Sequence, residues 1–236
     1  MTHGVRSFAR WAIWALPIWA ALLFVGTLTH QPDPQTNFAA FAAYVTTAQF
    51  LVSHLVASIA GAAIGSIGVI GLMLFLQDSG VAGRALTGMA LTVAGNTLLS
   101  SVFGVAAFAQ TAMGRMYLAG AQNAPDFYSQ VYGVPLSATA LVAALLFIGG
   151  GVFSGIAIAG CRRLPRWAGW VYAISATGFV LSLVFFPVGQ SLMSALMFAA
   201  TVAVAWSVSR ALNEVDEGVT GAWSGAAHQG TSRLPC

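Results

Sequence analysis

The sequence predicts an all-α fold: a polytopic transmembrane helical bundle with six spans and both termini in the cytoplasm. Hydrophobic residues make up 58% of the 236 residues and charged residues only 6%, whereas about a quarter of a soluble domain is charged. The arginines are grouped at the ends of long apolar runs, and lysine does not occur. We therefore expect a multi-pass integral membrane protein of a cell membrane, of the kind found in the bacterial inner membrane.

Six apolar runs reach the length of about 20 residues that a membrane-spanning helix needs. They cover residues 11–29, 49–77, 84–110, 136–160, 167–186 and 191–210. The first run would also suit a secretory signal, but its length and the lack of a small-x-small cleavage pattern favour a retained span. Residues 1–10 are then a cytoplasmic N-terminus. Residues 211–236, rich in Gly, Ser and acidic side chains, are predicted to form a flexible cytoplasmic tail.

Two connections between the spans carry structure of their own. The apolar stretch from residue 38 to residue 76 is too long for one span at about 1.5 Å per residue, so we expect a short surface helix over residues 38–47. The interval 111–135 is the largest interruption and contains three tyrosines. Because tyrosine is favoured at the headgroup level, this loop is expected on the membrane surface.

The orientation follows from the arginines, because basic residues that flank spans stay on the cytoplasmic side. With the N-terminus inside, only Arg115 near the bundle lies outside. The arginines that flank the cytoplasmic ends are then Arg6, Arg10, Arg84, Arg162, Arg163, Arg166 and Arg210.

Small residues recur at helical spacing on several spans and indicate helix-packing faces. Gly61, Gly65 and Gly68 form a stripe on the second span, and Gly151 and Gly155 repeat the spacing on the fourth. With a small-residue face on the third span, this pattern favours a packed centre made of the second, third and fourth spans.

Polar side chains inside the spans are the candidate pocket or interhelical residues. No Asp, Glu or Arg lies deep in a predicted span, which argues against proton pumps, proton-coupled antiporters and voltage sensors. His54 and Ser58 lie one turn apart on the second span, and Thr92, Asn96 and Ser100 form a polar stripe on the third. These residues either form hydrogen bonds between helices or line a small-molecule cavity.

The motifs of known chemistry do not occur. Without lysine there is no Schiff-base chemistry and no lysine-dependent phosphate loop. Haem held by two histidines would pair His54 with His30, but no motif supports that pair. We predict no catalytic residue, no metal ligand and no cofactor, and the scattered arginines give no nucleic-acid interface.

Three functions remain open from the sequence. The first is a non-catalytic membrane subunit or accessory protein that docks to membrane-protein partners, or to a second copy of itself, through helix faces within the lipid bilayer. The second is transport or capture of a neutral or apolar small molecule in a pocket near His54 and Asn96. The third, an intramembrane enzyme with His54 as acid or base, ranks last. A cavity that contains both side chains favours the second, and direct packing of the two stripes against each other favours the first.

Overall fold

The computed structural model describes residues 2–28, 31–185 and 188–223. Every regular element in these residues is helical, which confirms the all-α prediction. Two segments, Ser53–Ala60 and Ala106–Gln110, are π-helical and continuous with the α-helices on either side. The α-helices are α1 His3–Ala12, α2 Ala15–Gly26, α3 Phe38–Val45, α4 Ala48–Val52, α5 Gly61–Leu76, α6 Ala82–Val105, α7 Thr111–Leu118, α8 Ala124–Val131, α9 Val134–Gly160, α10 Arg166–Phe185 and α11 Val188–Trp223.

Five helical stretches of the described chain are long and apolar enough to cross a membrane. The protein is therefore a helical bundle of the multi-pass membrane type. The five stretches are His3–Gly26, Ala48–Leu76, Ala82–Leu118, Val134–Gly160 and Gly189–Val215. The remaining predicted span, 167–186, corresponds to the 20-residue helix α10.

The first stretch is interrupted between α1 and α2, just before Pro17. Proline has no amide hydrogen and cannot continue the backbone hydrogen-bond pattern. The carbonyl of Ile13 instead accepts from the amide of Leu16, at 3.2 Å. The first helix, α1, begins at His3, well before the expected start of the span at residue 11. The Arg10 side chain on α1 donates a hydrogen bond to the side chain of Asn213 on α11, at 3.1 Å.

Two intervals expected to lack regular structure contain helix. The third stretch continues through α7, and α8 follows, so much of the interval 111–135 is helical. Gly120, with φ of 94°, ends α7 in the left-handed conformation that glycine adopts at low cost. At the other end of the chain α11 continues to Trp223. Residues 224–236 of the predicted tail lie outside the described part of the chain.

Six helices form a closed ring in chain order. Each of α2, α5, α6, α9, α10 and α11 contacts the next, and α11 returns to contact α2. Between them, one buried apolar cluster includes Leu76, Val81, Ile158 and Leu164, which lie near the arginine-flanked helix ends. The ring is therefore densely filled at that end.

Close glycine contacts hold the ring together, with partners that differ from the expected ones. Gly65 packs directly under the indole of Trp19, and a Cβ on Gly68 would lie 2.7 Å from the backbone nitrogen of Leu16. This stripe therefore faces the first span instead of the third. Gly151 and Gly155 of the fourth span face α10, where a Cβ on Gly155 would lie 2.5 Å from the carbonyl oxygen of Gly169.

A small aromatic cap covers the end of the ring opposite the arginine-flanked ends. It consists of α3, α7 and α8, with Phe38 and Phe41 packed edge-on against Tyr128. The side chain of Asn37 caps α3 by accepting from the amide of Ala40 at 2.9 Å. Asparagine is favoured at this position because its side-chain oxygen pairs an amide that the helix leaves without a partner.

Candidate ligand cavity

The ring is hollow in the half beneath the aromatic cap. A cavity of about 380 Å³ lies there, within the range of about 300–1,000 Å³ that is usual for small-molecule sites. Every helix of the ring contributes to its wall. It reaches from Asn96, near the middle of the bundle, to Gln31, which follows the end of α2, and Gln190, in the first turn of α11.

The wall is mainly apolar and aromatic. Trp19 and Phe147 meet edge to face with ring centroids 5.6 Å apart, and Phe179 lies 6.3 Å from Phe147. Among the described lining residues there is no Asp, Glu, Arg or Lys. Since a buried charge without a partner is very costly, such a wall suits an uncharged molecule.

Asn96 is the most deeply buried polar group of the cavity wall, with only 2% of its surface exposed. Its amide nitrogen donates to the carbonyl of Ala62 at 3.0 Å and to the hydroxyl of Ser66 at 3.3 Å. Its side-chain oxygen Oδ1 is buried and has no hydrogen-bond partner among the described residues. Most buried polar atoms have such a partner, so this oxygen requires an explanation.

His54 lies nearer the aromatic cap and is held by its own helix. Its Nδ1 lies 3.0 Å from the carbonyl of Phe50, and the two rings are 4.2 Å apart. A carbonyl only accepts, so Nδ1 carries the hydrogen and Nε2 of the neutral ring has the lone pair. The ring of Phe103 flanks the imidazole from α6, with the centroids 6.4 Å apart.

The π-helical segment Ser53–Ala60 forms one side of the cavity. It contributes Ser53, His54, Ala57 and Ser58 to the wall. A π-helix is wider than an α-helix, is rare, and occurs frequently at functional sites. This π-helical segment continues directly into α5, where the carbonyl of Ala62 accepts a hydrogen bond from Asn96.

The structure separates the predicted polar residues into two groups. His54, Ser58 and Asn96 line the same cavity. Thr92 does not reach it, because it is buried against α9, where a Cβ on Gly150 would clash with the Thr92 hydroxyl. Ser100 is half-buried on α6 and does not line the cavity.

Several cavity residues were not among the sequence candidates. Trp19 and Phe147 belong to spans that showed no polar pattern, and aromatic residues in an apolar span look like ordinary packing residues. Gln31 and Gln190 lie at span ends, where polar residues are common. The only available signal was that two glutamines follow apolar runs on the same side of the predicted bundle.

The structure adds little on metals or cofactors. No group of three or more His, Cys, Asp or Glu side chains able to hold a metal ion occurs in the described ranges. His30, the second histidine of the weighed haem pair, lies outside the described residues. The expectation that no cofactor is bound stays a prediction.

Outside the spans, Tyr132 joins the aromatic cap to the third helical stretch. The side-chain amide of Gln110 donates to its hydroxyl, and its ring stacks on Tyr128 at 4.4 Å. Burial raises the pKa of Tyr132 to about 12, because the charged phenolate loses solvation; the hydrogen bond from Gln110 lowers the pKa and Tyr128 raises it, both by less.

Comparison with known proteins adds no further information about this site. No protein-family model, no curated protein and no solved structure matches the chain. Any functional conclusion therefore depends on the site itself.

Proposed function

We propose that this protein captures or transports a neutral, largely apolar small molecule in the cavity between its helices. The observation that carries the proposal is one uncharged cavity that contains both His54 and Asn96 and is lined by all six ring helices. Asn96 also joins two helices through its hydrogen bonds to Ala62 and Ser66, but those bonds alone do not account for the space beside it.

The proposal includes six spans, with α10 as the fifth in chain order. At about 1.5 Å per residue its 20 residues extend about 30 Å, the thickness of the hydrocarbon core. It packs between α9 and α11 within the ring. Its outward face carries Trp167, Trp170 and Ile174, all more than half exposed, which suits contact with lipid.

We further propose that both ends of the chain lie in the cytoplasm. The basis is the positive-inside rule: seven arginines flank one set of helix ends, and Arg115 lies on α7 at the other. In this orientation the cavity lies in the outer half of the bilayer. Ligand then enters from the outer leaflet or from the outer aqueous phase.

The docking-subunit alternative loses one of its arguments. It relied on glycine-rich helix faces as partner surfaces, yet Gly65, Gly68, Gly151 and Gly155 all contact helices of the same chain. The enzyme alternative also has less support, because no carboxylate among the described lining residues is available to orient His54 as a catalytic base.

The test is to fill the cavity and look for loss of a bound molecule. Ala144 of α9 lines the cavity and Ala138 of the same helix is exposed outside it. We expect mass spectrometry of the protein purified in mild detergent to find a small molecule with the wild type and with Ala138→Phe. It should be missing from Ala144→Phe, because phenylalanine occupies the same space.

Two outcomes would contradict the proposal. One is a wild-type protein that carries no small molecule and acquires none from a membrane extract. The other is equal recovery from Ala144→Phe and Ala138→Phe, which would place the bound molecule on the lipid-facing surface. Stoichiometric recovery of a partner protein with an empty cavity would favour the subunit function instead.

A further inference from the structure

The cavity presents hydrogen-bond acceptors at two depths and therefore selects for the chemistry of its ligand. We infer that the ligand is an uncharged, mostly apolar molecule with a hydroxyl or N–H group, and that this group donates a hydrogen bond to Oδ1 of Asn96. This inference rests on the proposed function and specifies its substrate class. It excludes ligands whose only polar groups are carbonyl or ether oxygens.

The network around Asn96 fixes which of its side-chain atoms is left without a partner. The hydroxyl of Ser66 donates its single hydrogen to the carbonyl of Ala62, at 2.9 Å. The Ser66 oxygen and the Ala62 carbonyl can then only accept from Asn96, and both do so from its Nδ2. An inverted amide would place Oδ1 against two acceptors and leave both amide hydrogens without a partner, so Oδ1 is the acceptor that remains.

The unpaired oxygen points to a ligand because of its depth. Only 2% of the surface of Asn96 is exposed, and the residue lines the cavity at the end farthest from the aromatic cap. An acceptor left unpaired in this way has lost its hydration without compensation, and a ligand donor in the cavity removes this cost. A carbonyl at the same place would instead bring two oxygens with lone pairs together.

His54 supplies a second acceptor closer to the aromatic cap. With Nδ1 donating to Phe50, Nε2 is left as an acceptor and has no protein partner among the described residues. Ala62, the partner of Asn96, follows His54 by eight residues, so the backbones at these two positions are offset along the helix by about 12 Å. A ligand with donors at both ends, or one donor and a water molecule, satisfies both acceptors.

The other polar groups of the wall do not reverse this preference. The hydroxyl of Ser58 can donate or accept and so does not discriminate between ligand classes. Gln31 and Gln190 lie at the opposite end of the cavity from Asn96. The deep end of the cavity therefore presents the Asn96 acceptor among mainly apolar side chains, with the Trp19 indole as a polar neighbour in the same wall.

The experiment compares 2-decanol with 2-decanone, which share a carbon skeleton; the alcohol can donate a hydrogen bond and the ketone can only accept one. Binding to the full chain in mild detergent is measured by titration calorimetry, with Ala144→Phe as the control for partition into the micelle. We expect 2-decanol to bind the wild type about tenfold more tightly than 2-decanone. In Asn96→Leu, which lacks the acceptor, the preference should disappear.

Each result decides a separate point. Equal affinity of the two probes for the wild type would overturn the donor inference, and so would tighter binding of the ketone. Equal affinity is the result expected if a water molecule already donates a hydrogen bond to Oδ1. A preference that persists in Asn96→Leu would overturn the assignment to Asn96. If neither probe binds the wild type more than Ala144→Phe, the proposed function itself fails. Should Asn96→Leu not fold, the wild-type comparison decides the donor preference, and His54→Phe decides its position: a preference kept in His54→Phe supports Asn96, and a preference lost there overturns the assignment.

Discussion

Substitution of Gly65 by alanine should destabilise the ring through a single contact, with the indole of Trp19. A Cβ on Gly65 would lie 2.4 Å from Cδ2 of that ring and less than 3 Å from two further ring atoms. A shift of Trp19 would disturb its edge-to-face contact with Phe147, and the side chain is only 2% exposed.

The expected size of the effect follows from two opposing terms. Overpacking of a well-filled core costs about 1–3 kcal/mol, and replacing a helical glycine by alanine returns up to about 1 kcal/mol. We therefore expect Gly65→Ala to lower the free energy of unfolding by about 1–2 kcal/mol. Gly104→Ala is the matched control, since nothing lies within 4 Å of a Cβ at that position.

The assay is reversible unfolding in mixed detergent micelles, followed by far-UV circular dichroism. It is repeated in a Trp19→Leu background, where the flat ring no longer covers Gly65. Trp19→Leu is destabilising by itself, so the informative quantity is the effect of Gly65→Ala in each background. The two substitutions should be coupled by about 0.5–3 kcal/mol, in the direction of rescue.

The reasoning would be refuted by either of two results. Gly65→Ala could prove as harmless as Gly104→Ala, which would mean that the Trp19 contact is not tight. Alternatively, the loss of stability could be the same in both backgrounds, which would assign the effect to a neighbour other than the indole.

Three further predictions follow from other parts of the molecule. Gly68→Ala should destabilise by about 1–2 kcal/mol. Leu16→Ala should rescue it only in part in a double-mutant cycle, because the added Cβ would lie 2.8 Å from two Leu16 side-chain atoms but also 2.7 Å from the Leu16 backbone nitrogen. Ionisation of Tyr132 should add no pH dependence to the free energy of unfolding below about pH 10, the ordinary pKa of tyrosine. This free energy should fall between pH 10 and pH 12, because the unfolded side chain ionises while the folded one keeps its proton; Tyr132→Phe should flatten this part of the stability profile. With the native cysteines replaced by serine, an impermeant thiol reagent should label Asp126→Cys from outside and Ser79→Cys from inside the cell, and the reverse pattern would overturn the proposed orientation.

Much of the secondary structure was predictable, because it depends on the solvent of the chain. A backbone in hydrocarbon must satisfy its own hydrogen bonds, so long uncharged runs such as 49–77 and 136–160 become helices. The structure places helix over Ala48–Leu76 and Val134–Gly160. The interval 111–135 was harder, because polar and aromatic residues there suit both a loop and a surface helix.

The candidate site was predictable only in part. Polar residues within apolar spans are visible in the sequence, and His54, Ser58 and Asn96 do line one cavity. Thr92 carries the same signal, yet it faces α9, because one stripe of a helix can contact different neighbours at different heights. Trp19 carries no polar signal, and its place in the wall depends on Gly65 of another helix.

The sequence by itself predicted that the chain is helical, that its long apolar runs suit lipid, and which polar side chains should turn inward, because transfer of unpaired polar groups into hydrocarbon is costly along any single helix. Only the tertiary structure decided which helices meet, that α11 returns to α2 to close a ring, and that one half of the ring stays hollow. Those features depend on contacts between residues far apart in the chain, and apolar side chains give no pairwise signal of which neighbour they will meet.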